Sequence, residues 1–251
     1  MADSWTEVRR PQPALAECNF YHTVDLAGGT VRGQWDLRGQ ADAYLGRLDF
    51  AGKRVLEIGP ASGFLSFHME RAGALVTAVE PSMQRLWDIA PMPDFDAEGW
   101  RASHAAQLIG VRNSFWYLHH LYQSKVRLFE ADAESIPLEA GQFDIGVLGA
   151  VLLHCREPLA IMEGVARRVR DTMVVTDFHD PALGELPVCR LLPGAGTPEP
   201  QVHTWWNFTP AFIVNALGLL GFTRARVSAQ DYPCDTIGQP LPMFTVVARR
   251  P

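Results

Sequence analysis

Short apolar runs alternate along the chain with longer stretches in which apolar residues recur at helical spacing. This alternation is typical of a parallel β-sheet that is covered by helices on both faces. The first five runs are mostly β-branched or aliphatic and are bounded by glycine, proline or aspartate, as expected of strands buried on both faces. The pattern predicts strands at residues 54–58, 75–79, 126–130, 143–148, 172–176, 223–228 and 244–248.

The last two predicted strands are joined by a proline- and glycine-rich connection, residues 231–242, that has no helical periodicity. We expect these strands to form an antiparallel hairpin at one edge of the sheet. The pattern therefore predicts an α/β fold, with a Rossmann-like, seven-stranded, mostly parallel sheet and an antiparallel edge hairpin. We expect a single domain spanning residues 1–251.

Three stretches lie outside this minimal fold. Residues 1–50 precede the first strand, and we expect them to form an N-terminal cap. Residues 81–124 are too long for one helix between neighbouring strands and contain an aromatic helical pattern at 104–122. Residues 178–208 are rich in proline and glycine and lead to a predicted helix, with Thr209 as a good N-cap before Pro210. The second and third stretches are predicted to be helical lid insertions above the carboxyl ends of the strands.

Composition narrows the class of protein. Of the 251 residues, 47% are hydrophobic and 20% are charged, which is typical of a soluble globular enzyme. No run of about 18 apolar residues predicts a membrane span, and the N-terminus lacks the apolar segment of a secretory signal. None of the four cysteines has C-x-x-C spacing, so we expect no metal site and a cytoplasmic location. The net charge of −6 disfavours a nucleic-acid partner.

The strongest functional signal is a buried strand followed by a glycine turn and the start of a helix, at residues 55–67. Gly59 and Gly63 allow the backbone to turn sharply and to approach a ligand closely. Glu80 ends the second predicted strand, where a carboxylate can accept hydrogen bonds from both hydroxyls of a ribose. This combination predicts a site for a ligand that contains a ribose.

A dinucleotide is the competing ligand for such a turn. Its fingerprint is G-x-G-x-x-G, whose middle glycine makes room for a pyrophosphate, but Ala61 occupies that place here. Glu57, two residues before the first glycine, would repel a pyrophosphate and attract an ammonium group. The pattern therefore favours a ligand with a ribose and a cationic end, and S-adenosylmethionine has both.

Four motifs, in order, resemble those of the class I S-adenosylmethionine-dependent methyltransferases. The first motif of that family is similar to Val-Leu-Glu-Ile-Gly-Pro-Ala-Ser-Gly at 55–63, and the second is similar to Glu80-Pro81. The third corresponds to Phe-Glu-Ala-Asp-Ala at 129–133, and the fourth runs from Gly-Gln-Phe-Asp-Ile at 141–145 to Leu-Leu-His at 152–154. The resemblance covers about residues 52–177 well.

The resemblance implies S-adenosylmethionine as the cofactor. It also implies that Asp132 meets the adenine amino group and that the next backbone N–H, at Ala133, meets a ring nitrogen. The cofactor-binding residues that it implies are Glu57, Gly59, Pro60, Gly63, Glu80, Pro81, Asp132 and Ala133.

The N-terminal part resembles a narrower subgroup, which is related to the tRNA wobble-uridine alkyltransferases. The similarity lies in Phe-Tyr-His-Thr-Val-Asp-Leu at 20–26, in Trp-Asp-Leu-Arg at 35–38, and in residues 115–122 and 152–158. It implies that Trp35 binds the cofactor. The chain does not show the long basic N-terminal domain expected of the tRNA enzymes, which argues against a tRNA substrate and a carboxylated cofactor.

Methyl transfer requires an aligned acceptor, exclusion of water and, where a proton must leave, a base. His154 follows the fourth predicted strand and His179 follows the fifth, so both are candidate catalytic residues, although each also fits a hydrogen-bonded rim histidine. Arg32 and Arg38 are candidates for binding an acidic acceptor or a cofactor carboxylate. Aromatic side chains suit a flat acceptor or a sulfonium, and at helical spacing they also fit a lid core. The candidate acceptor-binding residues are Tyr21, Tyr117, His203 and Trp205.

The sequence therefore predicts a methyltransferase that transfers a methyl group to an O, N, S or C atom of a small-molecule acceptor, in specialised metabolism. Two other functions stay open at this point. One is alkyl transfer to a tRNA wobble uridine, and the other is nucleotide binding without catalysis.

Overall fold

The computed structural model describes residues 5–83, 88–194 and 202–251. Its helices are α1 Ala41–Tyr44, α2 Phe64–Arg71, α3 Ala97–Leu121, α4 Pro158–Ala166 and α5 Pro210–Leu219. Its strands are β1 Thr6–Val8, β2 Val24–Leu26, β3 Gly29–Val31, β4 Arg54–Ile58, β5 Leu75–Glu80, β6 Arg127–Glu130, β7 Phe143–Gly149, β8 Val169–Phe178, β9 Cys189–Leu191, β10 Trp206–Phe208, β11 Arg224–Cys234 and β12 Gln239–Arg249.

Within these described residues, the main sheet has eight strands in the order β1-β6-β5-β4-β7-β8-β12-β11. The five strands from β6 to β8 are parallel, whereas β12 runs antiparallel to β8, and β11 to β12. This arrangement confirms the predicted mostly parallel sheet with an antiparallel edge hairpin. The strand order reverses between β4 and β7, and in open α/β sheets ligands bind beyond the carboxyl ends of the strands at such a point.

Two details of the predicted sheet were wrong. The sheet has an eighth strand, β1, which pairs antiparallel with β6 and is too short to show an alternating pattern. The strands of the edge hairpin also extend into the predicted connection, so that only residues 235–238 form the turn. Pro233 and Pro240 face each other there. Proline is tolerated because β11 is an edge strand and β12 pairs with β8 only from Met243 onwards.

The predicted helices both exist, and one begins earlier than expected. Helix α3 starts at Ala97 because Asp96 caps it, its side chain accepting a hydrogen bond from the Gly99 N–H at 2.9 Å. Helix α5 begins at Pro210, and the Thr209 hydroxyl accepts from the Phe212 N–H at 3.2 Å. Thr209 is thus the N-cap that the sequence predicts.

The core has two layers, one on each face of the sheet. Helices α2 and α3 cover one face together with the segment that runs from Phe20 to Phe50, and α4 and α5 cover the other. Trp35, Leu37 and Tyr44 of that segment are fully buried. Burial of these large apolar side chains fixes residues 20–50 against the sheet, close to the carboxyl ends of its strands.

Candidate functional site

The loop between β4 and α2 has a conformation that depends on glycine. Gly59 and Gly63 have φ angles of 70° and 81°, and Ala61 between them has a φ of 50°. A Cβ atom on Gly59 would lie 2.7 Å from a Val151 methyl group, and one on Gly63 would lie 2.4 Å from the Phe67 ring. Both glycines are therefore required by backbone conformation and by space.

Two carboxyl groups flank this loop. Glu57 is 2% exposed, its Oε2 accepts a hydrogen bond from the Ser66 hydroxyl, and burial raises its pKa to about 7, assisted by the nearby charge of Glu80. Glu80 accepts the Ala61 N–H at 3.1 Å. Burial also raises the pKa of Glu80, and the positive charge of Arg112 opposes that rise. The loop is thus bordered by two carboxyl groups whose ionisation is less favourable in the folded chain than in water.

A cavity opens beside the loop, with about 420 Å³ of empty space including its mouth. The loop contributes Gly59, Pro60 and Ala61 to its wall, and Glu57 lies at its base. The neighbouring strand β7 contributes its last residue, Gly149, and Ala150 follows it in the wall. Both residues are small and leave space.

The N-terminal segment forms the remaining wall. Two candidates from the sequence line it: Tyr21, predicted for the acceptor, and Trp35, predicted for the cofactor. The Trp35 Nε1–H donates to the Tyr21 hydroxyl at 3.1 Å. Desolvation raises the pKa of Tyr21 to about 12, so this hydroxyl stays neutral. His22 and Tyr44 also line the cavity. Neither residue was expected at the site from the sequence, although His22 lies within the motif at 20–26, which was the available signal.

His22 is held in the wall by its neighbours. Its ring stacks on Phe64 at 5.3 Å, and its Nδ1 lies 3.3 Å from the Ser62 hydroxyl in the glycine loop. Desolvation lowers the pKa of His22 to about 3. The ring is therefore neutral at physiological pH and connects the N-terminal segment to the loop.

Five predicted cofactor residues are not part of the cavity wall, namely Gly63, Glu80, Pro81, Asp132 and Ala133. Asp132 and Ala133 follow β6, whose last residue, Glu130, pairs with Glu80. The carbonyl oxygen of Pro81 accepts a hydrogen bond from the Arg112 guanidinium. These residues extend the site along the ends of β5 and β6.

His154, on the segment that follows β7, lies beside His203 and Trp205, which come just before β10. The His154 Nδ1–H donates to the His203 carbonyl oxygen at 2.8 Å, and the two rings stack at 5.0 Å. The Trp205 N–H donates to the Leu153 carbonyl at 2.7 Å, and its Nε1–H donates to the Asp88 carbonyl at 2.8 Å. Desolvation lowers the pKa of both histidines, so this cluster is neutral. None of the three lines the cavity described above.

The other two candidates lie elsewhere. The His179 N–H donates to the Pro242 carbonyl at 2.9 Å, and its ring contacts Phe244 edge-on at 6.3 Å. Tyr117 packs edge-on against Phe20 at 6.2 Å within the core beneath α3. Neither side chain is part of the cavity wall in the described structure.

No helix within residues 5–83, 88–194 and 202–251 is long and apolar enough to cross a membrane. In the same part of the chain, no group of three or more histidine, cysteine, aspartate or glutamate side chains is placed to hold a metal ion.

The sheet order, the left-handed glycine loop and the acidic end of β5 form a Rossmann-like fold similar to that of the class I S-adenosylmethionine-dependent methyltransferases. The family model described as a methyltransferase domain matches residues 56–172. A relative with 29% identity over 172 residues is the ubiquinone biosynthesis O-methyltransferase of Xanthomonas oryzae pv. oryzae, and the match covers 63% of this chain. The chain spans 60% of the length of that relative.

Solved structures confirm the fold. The 1,6-didemethyltoxoflavin-N1-methyltransferase of Burkholderia thailandensis, with its substrate and S-adenosylhomocysteine bound, has a TM-score of 0.52 at 18% identity, covering 84% of this chain and 76% of its own. The N-terminal domain of EvdMO1, crystallised in the presence of S-adenosylhomocysteine and D-fucose, has a TM-score of 0.55 at 19% identity, covering 94% of this chain and 93% of its own.

Proposed function

We propose that this protein is a methyltransferase that uses S-adenosylmethionine and acts on a small-molecule acceptor. The observation that carries the proposal is the pair of carboxyl groups, Glu57 and Glu80, on either side of a left-handed glycine loop. A ribose offers two hydroxyl donors, which suit Glu80, and an amino-acid ammonium suits Glu57. Both interactions are hydrogen bonds to a charged group, the strong kind.

The residues present fit this cofactor. Gly59, Pro60 and Ala61 line the cavity, so the loop backbone is a surface that a ligand can meet. Burial of Glu57 costs free energy unless a cation lies opposite it. In the proposal, Trp35 borders the cofactor from the N-terminal segment, while Pro60, Pro81, Asp132 and Ala133 hold its adenosine part. When bound, the cofactor supplies a methyl group on a positively charged sulfur.

The acceptor is proposed to be a small molecule. The similar enzymes are named for a toxoflavin precursor and for ubiquinone biosynthesis, and D-fucose accompanies a third. Tyr21 is the aromatic candidate that lines the cavity, and Tyr117, His203 and Trp205 are proposed to shape the acceptor side around it. His154 and His179 are proposed to act from the ends of β7 and β8, as positioning residues unless their removal abolishes turnover.

The cofactor proposal is tested by isothermal calorimetry and thermal unfolding. We expect S-adenosylhomocysteine to bind at micromolar concentration and to raise the melting temperature by mass action, whereas NAD does neither. Turnover is tested with methyl-labelled S-adenosylmethionine and a panel of small acceptors. Stabilisation by NAD alone would contradict the proposal, and binding without turnover on any acceptor would favour the non-catalytic module.

The second candidate is the narrower one, alkyl transfer to a tRNA wobble uridine with a carboxylated cofactor. The motif at 20–26 favours it, because Tyr21 and His22 from that motif line the cavity. Against it, the described cavity wall contains no lysine or arginine. Arg38 pairs with Asp25 and Asp36 at 2.6 Å, and Arg32 lies 3.6 Å from Asp235. Salt-dependent binding of tRNA would revive this candidate.

A further inference from the structure

Asp177 is a buried carboxyl group at the carboxyl end of β8 that the proposed cofactor site does not use. Only 2% of it is exposed. Its predecessor Thr176 pairs with Gly149, and the Thr176 carbonyl accepts the Ala150 N–H at 2.7 Å. Gly149 and Ala150 both line the cavity. Asp177 is therefore the next residue of β8 after the one that pairs with the cavity wall.

The hydrogen bonding of Asp177 is incomplete. Its Oδ1 accepts the Phe178 N–H at 2.8 Å, whereas its buried Oδ2 accepts no hydrogen bond of normal geometry among the described residues, although the Leu153 N–H lies near the carboxyl group. In that part of the chain, no lysine or arginine forms an ion pair with it. Buried polar atoms without partners are uncommon in folded proteins and call for an explanation, such as a ligand or a catalytic role.

The charge of Asp177 reaches the cavity. After burial itself, nearby charges that include Asp177 raise the pKa of both Tyr21 and Tyr44, which line the wall. On its other side, the Leu153 N–H lowers the pKa of Asp177, and the Leu153 carbonyl binds Trp205. Asp177 is not itself part of the described cavity wall. It lies near Tyr21 and Tyr44 of that wall on one side and near Leu153, which binds Trp205, on the other. In open α/β sheets, ligands bind beyond the carboxyl ends of the strands, and Asp177 is at such an end.

We propose, on the basis of the methyltransferase function proposed above, that Asp177 is the base for an acceptor that presents a hydroxyl group. Oδ2 accepts the hydroxyl hydrogen. As the hydroxyl oxygen bonds to the methyl carbon, the carbon–sulfur bond breaks with its electron pair on sulfur, and the hydroxyl proton moves to Asp177. The products are a methyl ether, a neutral thioether and a protonated carboxyl group, so atoms and charge balance.

The state of Asp177 suits this step. Burial raises its pKa to about 7, with two backbone N–H groups opposing the rise. A base whose pKa lies near the working pH is both available and able to hold a proton. His154 is the alternative base: its Nδ1–H is donated to the His203 carbonyl, which leaves Nε2 to accept a proton, and its ring packs on His203.

The test uses phenol, anisole and aniline as probes, with binding measured by ligand-observed NMR on the full chain with S-adenosylhomocysteine and without it. In anisole, a methyl group replaces the hydroxyl hydrogen of phenol that Oδ2 would accept. We expect phenol to bind about tenfold more tightly than anisole at pH 8.5, as a hydrogen bond to a charged group implies, and this preference to fall as the pH drops through 7. The Asp177→Asn variant should lose the preference while its affinity for S-adenosylhomocysteine stays unchanged.

Asp171→Asn is the matched control, because Asp171 is an exposed aspartate near the other end of β8. It should keep both the preference and its pH dependence. Equal or undetectable binding of phenol and anisole to the wild type overturns the proposal, as does tighter binding of aniline. A preference that survives in Asp177→Asn but is lost in His154→Ala assigns the base to the histidine. Should Asp177→Asn not fold, the wild-type preference and its pH dependence decide. Failure of S-adenosylhomocysteine to bind contradicts the proposed function alone, because the probe comparison on the free chain still stands.

Discussion

Glu57 gives the stability of the folded chain a pH dependence that can be measured without any ligand. Its pKa rises from an ordinary value of 4.5 to about 7 in the fold, chiefly through burial. The folded state therefore binds this proton more tightly than the unfolded state does. The stabilising contribution is complete below pH 4.5 and is lost as the pH rises to 7.

The magnitude follows from the shift. Each pKa unit is worth about 1.4 kcal/mol, so Glu57 should destabilise the fold by roughly 2–3 kcal/mol between pH 5 and pH 8. The Glu57→Gln variant removes this titration and retains an oxygen that can accept from Ser66. Between pH 5 and pH 8, we expect the unfolding free energy of the wild type to fall by roughly 2–3 kcal/mol more than that of Glu57→Gln.

The assay is urea unfolding followed by fluorescence at intervals from pH 5 to pH 8. Asp177 and Glu80 titrate in both proteins, so only the difference between the two curves reports Glu57. Glu139→Gln serves as the control, since Glu139 is exposed and its variant should follow the wild type. Parallel curves for the wild type and Glu57→Gln would refute the reasoning and show that the carboxyl is hydrated in solution.

The remaining predictions concern Glu80, the glycine loop and His154. Glu80→Ala should weaken S-adenosylhomocysteine binding about tenfold to a hundredfold in calorimetry, and an unchanged affinity would remove Glu80 from the site. Gly63→Ala should lower the free energy of unfolding by about 3 kcal/mol in urea, because it adds backbone strain and a clash with the Phe67 ring. The control Gly52→Ala has a φ of 69° but open space around it, so it should cost about 1 kcal/mol. Equal losses would contradict the steric part of this argument. His154→Ala should lower stability by about 1–3 kcal/mol and leave cofactor affinity intact, and a fully stable variant would show that the His203 contact contributes nothing.

The parallel sheet and the cofactor loop could be predicted because both leave short-range patterns in the sequence. A strand buried on both faces needs a run of apolar residues, as at 145–148 in β7, and a left-handed turn needs glycine, as at Gly59 and Gly63. The helix start at Thr209 is equally local. In each case, one physical requirement restricts the residue types at neighbouring positions.

What could not be predicted depends on contacts between distant segments. β1 is three residues long and is defined only by its pairing with β6. The prolines of the edge hairpin signal a loop until it is known that β12 pairs with β8 only from Met243 onwards. Likewise, the sequence did not single out Asp177, because spacing along the chain does not show that its buried carboxyl lies near Leu153.

The two halves of the cavity are specified by different kinds of sequence. The loop side is fixed by glycine geometry and by Glu57, and the same geometry would hold the cofactor whatever the acceptor. The other side comes from Tyr21, His22 and Trp35, which reach the cavity because their segment packs on the sheet and is linked to the edge hairpin by the Asp36 N–H and the Pro233 carbonyl at 3.1 Å. Under the proposed function, changes at Tyr21 alter the acceptor side, whereas His22 is tied to the cofactor loop through Ser62. For this reason, the acceptor is the property of this chain that a family resemblance confined to the loop and strands predicts least.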